Sequence, residues 1–247
     1  VNGLDPAIIA LLGLIYLAGG VVKGSLGFGL PLVTISISPF FIPVELALAF
    51  NSVVLLATNA VQVWRAGETR EAFAFSLPIL AGVAVTTLPG VWIATQLPAN
   101  VLLGALGCLV LTFSILSFFS VAIRLPSGGL GAAAIGGVAG VVGAFSSAPG
   151  PVFVMYLMTL GLPRRRFMAV IGILMGLVGT FLTAGFVIAG VLDLERLALG
   201  ALLFLPGTLG FVLGDRLFRR FPEKVFRRGV LIVLVILALA MIRRAFA

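Results

Sequence analysis

Between Glu45 and Val121 the chain passes through three long apolar stretches, Glu45 to Trp64, Glu71 to Thr95 and Ala99 to Val121, separated only by short polar or proline-marked turns. At 1.5 Å per helical residue, about 20 such residues cross the hydrocarbon core of a bilayer, so each stretch is long enough to span it. Backbone in hydrocarbon must satisfy its own hydrogen bonds, which leaves helices for runs of this length. Hydrophobic residues make up 61% of the chain and charged residues 10%, which lies outside the range of soluble globular domains. The fold class expected is therefore an all-α polytopic membrane protein, with the lipid bilayer as its constant partner.

The run before these stretches is different. From Ala7 to Ile42 it is apolar but broken at Lys23-Gly24-Ser25-Leu26-Gly27-Phe28-Gly29-Leu30-Pro31, leaving Pro6 to Val22 and Phe28 to Ile42 as two short pieces. The break has an echo. A shift of 120 residues sets Gly20-Val21-Val22 on Gly140-Val141-Val142, Pro31 on Pro151 and Pro43 on Pro163. Leu130 to Phe145 and Pro151 to Leu160 then flank Ser146-Ser147-Ala148-Pro149-Gly150, and long runs follow at Phe167 to Val191, Leu197 to Leu217 and Val225 to Ile242. At a shift of 124, Gly90 meets Gly214 and Pro98 meets Pro222.

The expectation is two repeats, residues 1–123 and 124–247, joined by the linker Arg124 to Gly129 into one transmembrane domain. Each is a short broken or re-entrant helical pair followed by three transmembrane helices. Either way of counting the short pair gives an odd number of passes, so the second repeat is inverted relative to the first. Inverted repeats with broken segments at corresponding positions are the pattern of a secondary transporter with its site between them.

Charge tests the layout. Alternating the loops puts twelve of the sixteen Lys and Arg on one side: Arg65, Arg70, Arg124, Arg164 to Arg166, and the six between Arg216 and Arg228. The other side carries Arg196, Arg243 and Arg244 with Asp5, Glu45, Asp193 and Glu195. By the positive-inside rule the first side is cytoplasmic and both termini face out. The same placement accounts for the net charge of +8, so no nucleic-acid partner is expected. Val1 to Pro6 lack the basic region and cleavage site of a signal peptide, and the apolar run after them is expected in the mature chain.

With no histidine and one cysteine, Cys108, the sequence offers no disulfide framework, no cysteine-rich zinc site and no histidine-based triad. It also lacks a Gly-x-x-x-x-Gly-Lys-Ser/Thr phosphate loop. No cofactor, resident metal or catalytic residue is expected, and the chain is read as a transporter rather than an enzyme. An intramembrane hydrolase pairing Lys23 with Ser25, Ser146 or Ser147 is the alternative from the enzyme class.

Lys23 is costly in hydrocarbon and so marks a functional site. If the two breaks meet, each starts a half-helix whose N–H groups and positive dipole end favour an anion. Ser25, Ser146 and Ser147 add hydroxyl donors, and Gly24, Gly27, Gly29 and Gly150 permit close backbone approach. Asn51 and Thr58, seven apart on the first long span, share a face and are lining candidates; Asn59 and Gln62 form a second pair. The substrate-binding set expected is Lys23, Ser25, Gly27, Gly29, Asn51, Thr58, Ser146, Ser147 and Gly150, holding a small anion. No carboxylate sits at mid-membrane, so any proton coupling would run through Lys23 itself.

Plainer roles compete. Lys23 could snorkel to an interface, and the polar groups on the first long span could simply bond between helices. Gly136, Gly140, Gly172, Gly176 and Gly179 fit close helix packing, inside the chain or between copies of a homo-oligomer. Arg65 and Arg164 to Arg166 serve orientation, with an anion-attracting vestibule as a second role.

Gly19-Gly20-Val21-Val22-Lys23-Gly24-Ser25-Leu26-Gly27-Phe28-Gly29, followed by Pro31, resembles the first signature of the sulfite exporter TauE/SafE family of membrane permeases. Gly140-Val141-Val142-Gly143 through Pro149-Gly150-Pro151 to Tyr156 is similar to its second, with Ala148-Pro149-Gly150-Pro151 where the family has a Gly-Pro-Pro type segment. The resemblance implies a permease of the bacterial inner membrane for sulfur-containing anions such as sulfite, thiosulfate or organosulfonates like sulfoacetate, usually for export. Small carboxylates would suit the same kind of site.

Overall fold

The computed structural model describes residues 5–67, 69–118, 128–217 and 223–246. The expected linker residues Arg124 to Ser127, and Pro222, lie outside them. The described residues are helical: α1 (Pro6–Leu26), α2 (Leu30–Ile37) with a 3-10 turn at Ser38–Phe40, α3 (Val44–Ala66), α4 (Thr69–Ala94), α5 (Ala99–Phe118), α6 (Gly129–Ser146), α7 (Gly150–Thr159), α8 (Arg164–Ile188), α9 (Leu194–Leu217) and α10 (Glu223–Ala245). Among the described residues seven of these helices are long and apolar enough to cross a membrane. The chain is a polytopic membrane protein, and α2 and α7 are its short apolar helices.

One boundary differs from the sequence reading. α1 does not stop at Val22 but runs on through Lys23, Gly24, Ser25 and Leu26, which makes it 21 residues long and a full-length span. Gly24 is tolerated inside it because a Cβ there would strike the α9 backbone at Phe211 and Asp215. The real break is Gly27-Phe28-Gly29, with Gly27 at φ 83° and Gly29 at φ 107°, both left-handed values that glycine adopts without a Cβ penalty. Asp5 caps the start of α1, its Oδ1 accepting from the Ala7 N–H at 2.8 Å.

Glycines set the helix pairs and their directions. Gly20 and Gly24 of α1 lie against Gly207, Gly210, Phe211 and Gly214 of α9, with residue numbers rising together, so α1 and α9 are parallel. Gly82 and Gly136 bring α4 and α6 together in the same parallel sense, while Gly172 and Gly179 set α8 antiparallel to α3 against Val63 and Leu56. Gly104 and Gly107 do likewise for α5 and α10. Where the helices meet, the small-residue faces pack inside the chain, since lipid offers no hydrophobic drive and close backbone approach does the work.

α3 and α8 lie at the centre. Their apolar windows are 67% and 61% buried, against at most 44% for the other spans. The outer helices turn apolar side chains outward, as α9 does with exposed Leu202, Leu205, Leu209 and Leu213 opposite its glycine face. Such a stripe belongs against lipid. Charge gathers at the ends: Arg65 meets Asp215 at 3.2 Å, Arg165 donates to the Ala66 carbonyl at 2.8 Å, and Arg227 donates to the Ser117 carbonyl at 3.2 Å, all at one end. Arg244 and the Asp193–Arg196 pair mark the other.

Candidate functional site: a buried lysine beside two helix breaks

Lys23 does not snorkel. Its side chain is 1% exposed, and Nζ donates to Asn59 Oδ1 at 2.7 Å and Thr58 Oγ1 at 3.1 Å, both on α3. These acceptors are themselves anchored. The Thr58 hydroxyl donates to the Val54 carbonyl at 2.7 Å, and Asn59 Nδ2 to the Leu55 carbonyl at 2.7 Å, so each oxygen is held facing the ammonium. An ammonium has three donors. Two are taken by neutral oxygens, and among the described residues no carboxylate pairs with Lys23. A buried cation without a counter-ion is costly, and an anion bound beside it offsets that cost.

The second break reaches the same helix two turns away. Asn51 Nδ2 donates to the Ser147 carbonyl at 2.9 Å while Asn51 Oδ1 accepts from Thr34 of α2 at 2.7 Å. The Ser147 hydroxyl donates to the Leu48 carbonyl at 2.9 Å. Ser147 ends α6 at φ 49°, the one left-handed residue other than glycine among those described. Bonds from both its hydroxyl and its carbonyl hold it in that strained conformation. Along α3, Asn51 and Thr58 are separated by about 10 Å.

The remaining expected residues fall in distinct places. Ser25 is turned onto its own helix, its hydroxyl donating to the Val21 and Val22 carbonyls at 3.0 and 2.9 Å. Ser146 donates to the Val142 carbonyl at 2.6 Å and accepts from the Ala148 N–H at 3.1 Å, stapling the second break. Gly27 and Gly150 each abut a methionine of α8: a Cβ on Gly27 would press on Met168 and one on Gly150 on Met175. Gly29 caps α2. In this arrangement Lys23 bonds none of the three serines.

The family model for the sulfite exporter TauE/SafE family matches residues 11–241. The chain belongs to the TauE/SafE family. No curated protein and no solved structure matches it significantly. Membership places this multi-pass membrane protein among transporters of sulfite-type anions, with a small anionic substrate and a lipid surround.

In this TauE/SafE chain the structure adds two residues that the sequence reading left out of the site. Asn59 is the closer partner of Lys23, although sequence spacing had paired it with Gln62 instead. Gln62 bonds elsewhere, to the Met168 carbonyl at 3.1 Å. Tyr16 is 1% exposed, and among the described residues its hydroxyl has no partner. It lies seven residues before Lys23, on the same face of α1, and that spacing is the signal by which it could have been found.

Proposed function

We propose that the chain is a secondary transporter of small sulfur oxyanions or organosulfonates, such as sulfite, thiosulfate or sulfoacetate, with Lys23 as the central anion-binding charge. The observation that carries this reading is the buried Lys23 ammonium, held by Thr58 and Asn59 and facing no carboxylate among the described residues. Its third donor is available to a tetrahedral or pyramidal oxyanion. Two inverted repeats working by alternating access are supported by the parallel pairs α1 with α9 and α4 with α6, which exchange under a two-fold relation between the halves. Asn51 supports a linked motion, since one side chain ties α2 to the tip between α6 and α7.

By the positive-inside rule the end carrying Arg65, Arg165 and Arg227 is cytoplasmic in a bacterial inner membrane, both termini face out, and export runs from that end. The test is uptake of labelled sulfite, thiosulfate, sulfoacetate and acetate into liposomes holding wild type or Lys23→Ala. The reading expects one or more sulfur anions to be carried by wild type and not by Lys23→Ala. Carriage of acetate alone would reassign the substrate to small carboxylates.

A further inference from the structure

Phe211 of α9 is the side chain shared by the buried lysine and the basic end of the molecule. Its ring centroid lies 5.8 Å from Lys23 Nζ and 5.6 Å from the Arg65 guanidinium carbon. Phe211 is 7% exposed, and Gly24 packs directly on its backbone, which fixes the ring beside the lysine. Arg65 closes α3 six residues beyond Asn59, and its side chain is 36% exposed. One of its donors reaches Asp215 Oδ2 at 3.2 Å; among the described residues its other donors have no protein acceptor.

From this we infer that Arg65 is a second anion-binding station, at the basic end, which receives the sulfur oxyanion before it passes Phe211 to Lys23. The inference rests on Lys23 being the central site. A guanidinium suits the ligand, since its fork bonds two oxygens of a sulfite or sulfonate group at once. Asp215 is the resident carboxylate that holds the fork in place between substrates, and an arriving oxyanion competes with it. Phe211 supplies an aromatic face to both cations, so neither loses all stabilisation while the anion moves from one to the other. Arg165, drawn to the Ala66 carbonyl beside Arg65, adds positive potential at the entrance.

The test uses the full-length protein in membrane vesicles of both orientations, with sulfite as the probe. Arg65→Gln is expected to raise the apparent KM for sulfite offered at the basic end about tenfold, with Vmax within about twofold and KM at the opposite end unchanged. Arg65→Lys should recover part of the loss. Asp215→Asn, which leaves Arg65 in place, should lower KM at the basic end. An unchanged KM in Arg65→Gln, an equal loss from both ends, or no fall in Asp215→Asn overturns the station. Lys23→Ala, run in parallel, separates the two claims. Normal transport by Lys23→Ala with the one-sided effect at Arg65 removes the central site and keeps the station; abolished binding by Lys23→Ala with a silent Arg65→Gln removes the station alone.

Discussion

Asn51 holds the carbonyl of Ser147, 96 residues away, on its side-chain amide at 2.9 Å, and through Thr34 it holds α2 as well. Asn51→Ala leaves the buried Ser147 carbonyl without its side-chain donor and unties α2, whose Thr34 hydroxyl keeps only the Leu30 and Pro31 carbonyls of its own helix. The expected cost is about 1–3 kcal/mol, read as a lower thermal midpoint in detergent. Asn51→Gln should not rescue it, because the longer side chain cannot occupy the same space between three helices.

Ser25 is the opposite case. Its hydroxyl is spent on the Val21 and Val22 carbonyls of its own helix. Ser25→Ala should therefore leave sulfite KM within about twofold of wild type, since a lost intrahelical back-bond is worth little. Asn59→Leu removes the closer acceptor of Lys23 and should lower sulfite binding strongly. Titration of labelled sulfite on the two purified variants separates them.

Ser147 sits at φ 49° and offers a test of strain against bonding. Glycine relieves the strain but loses the hydroxyl bond to Leu48, whereas alanine keeps the strain and loses the same bond. Ser147→Ala should therefore be less stable than Ser147→Gly, by about 1 kcal/mol. Equal midpoints in thermal unfolding would contradict this account of the second break.

Glycines at the two parallel helix pairs probe the contact between the halves. A Cβ on Gly24 would collide with the α9 backbone, and one on Gly136 with the Ile79 carbonyl of α4. Gly24→Ala and Gly136→Ala should each force a helix pair apart at a cost of about 1–3 kcal/mol. Gly13, with open space around it, should accept alanine without loss. Thermal unfolding of the three variants reads this directly.

The spans were legible because hydrocarbon length and composition leave helices few alternatives, and α3, α4 and α8 lie within a few residues of their apolar runs. The two short helices were legible from proline and glycine. The end of α1 was not. Glycine and lysine read as a break, but Gly24 is a packing contact with α9, and a partner helix from the other half of the chain is invisible in a local window. The same limit explains Ser25 and Asn59: whether a hydroxyl turns back on its own helix, or whether Asn59 joins Thr58 in meeting a lysine 36 positions away, depends on tertiary placement. Lys23, Thr58, Asn51 and Ser147 were legible as polar groups in apolar surroundings, which hydrocarbon makes expensive unless they bond.

The most direct measurement is equilibrium binding of sulfite to purified wild type and to Lys23→Met, a change that keeps an unbranched side chain one atom shorter and removes the charge. The account predicts that Lys23→Met stays folded, with a thermal midpoint at or above wild type because an uncompensated buried charge is gone, and that it no longer binds sulfite. Wild-type affinity in a folded Lys23→Met would contradict it.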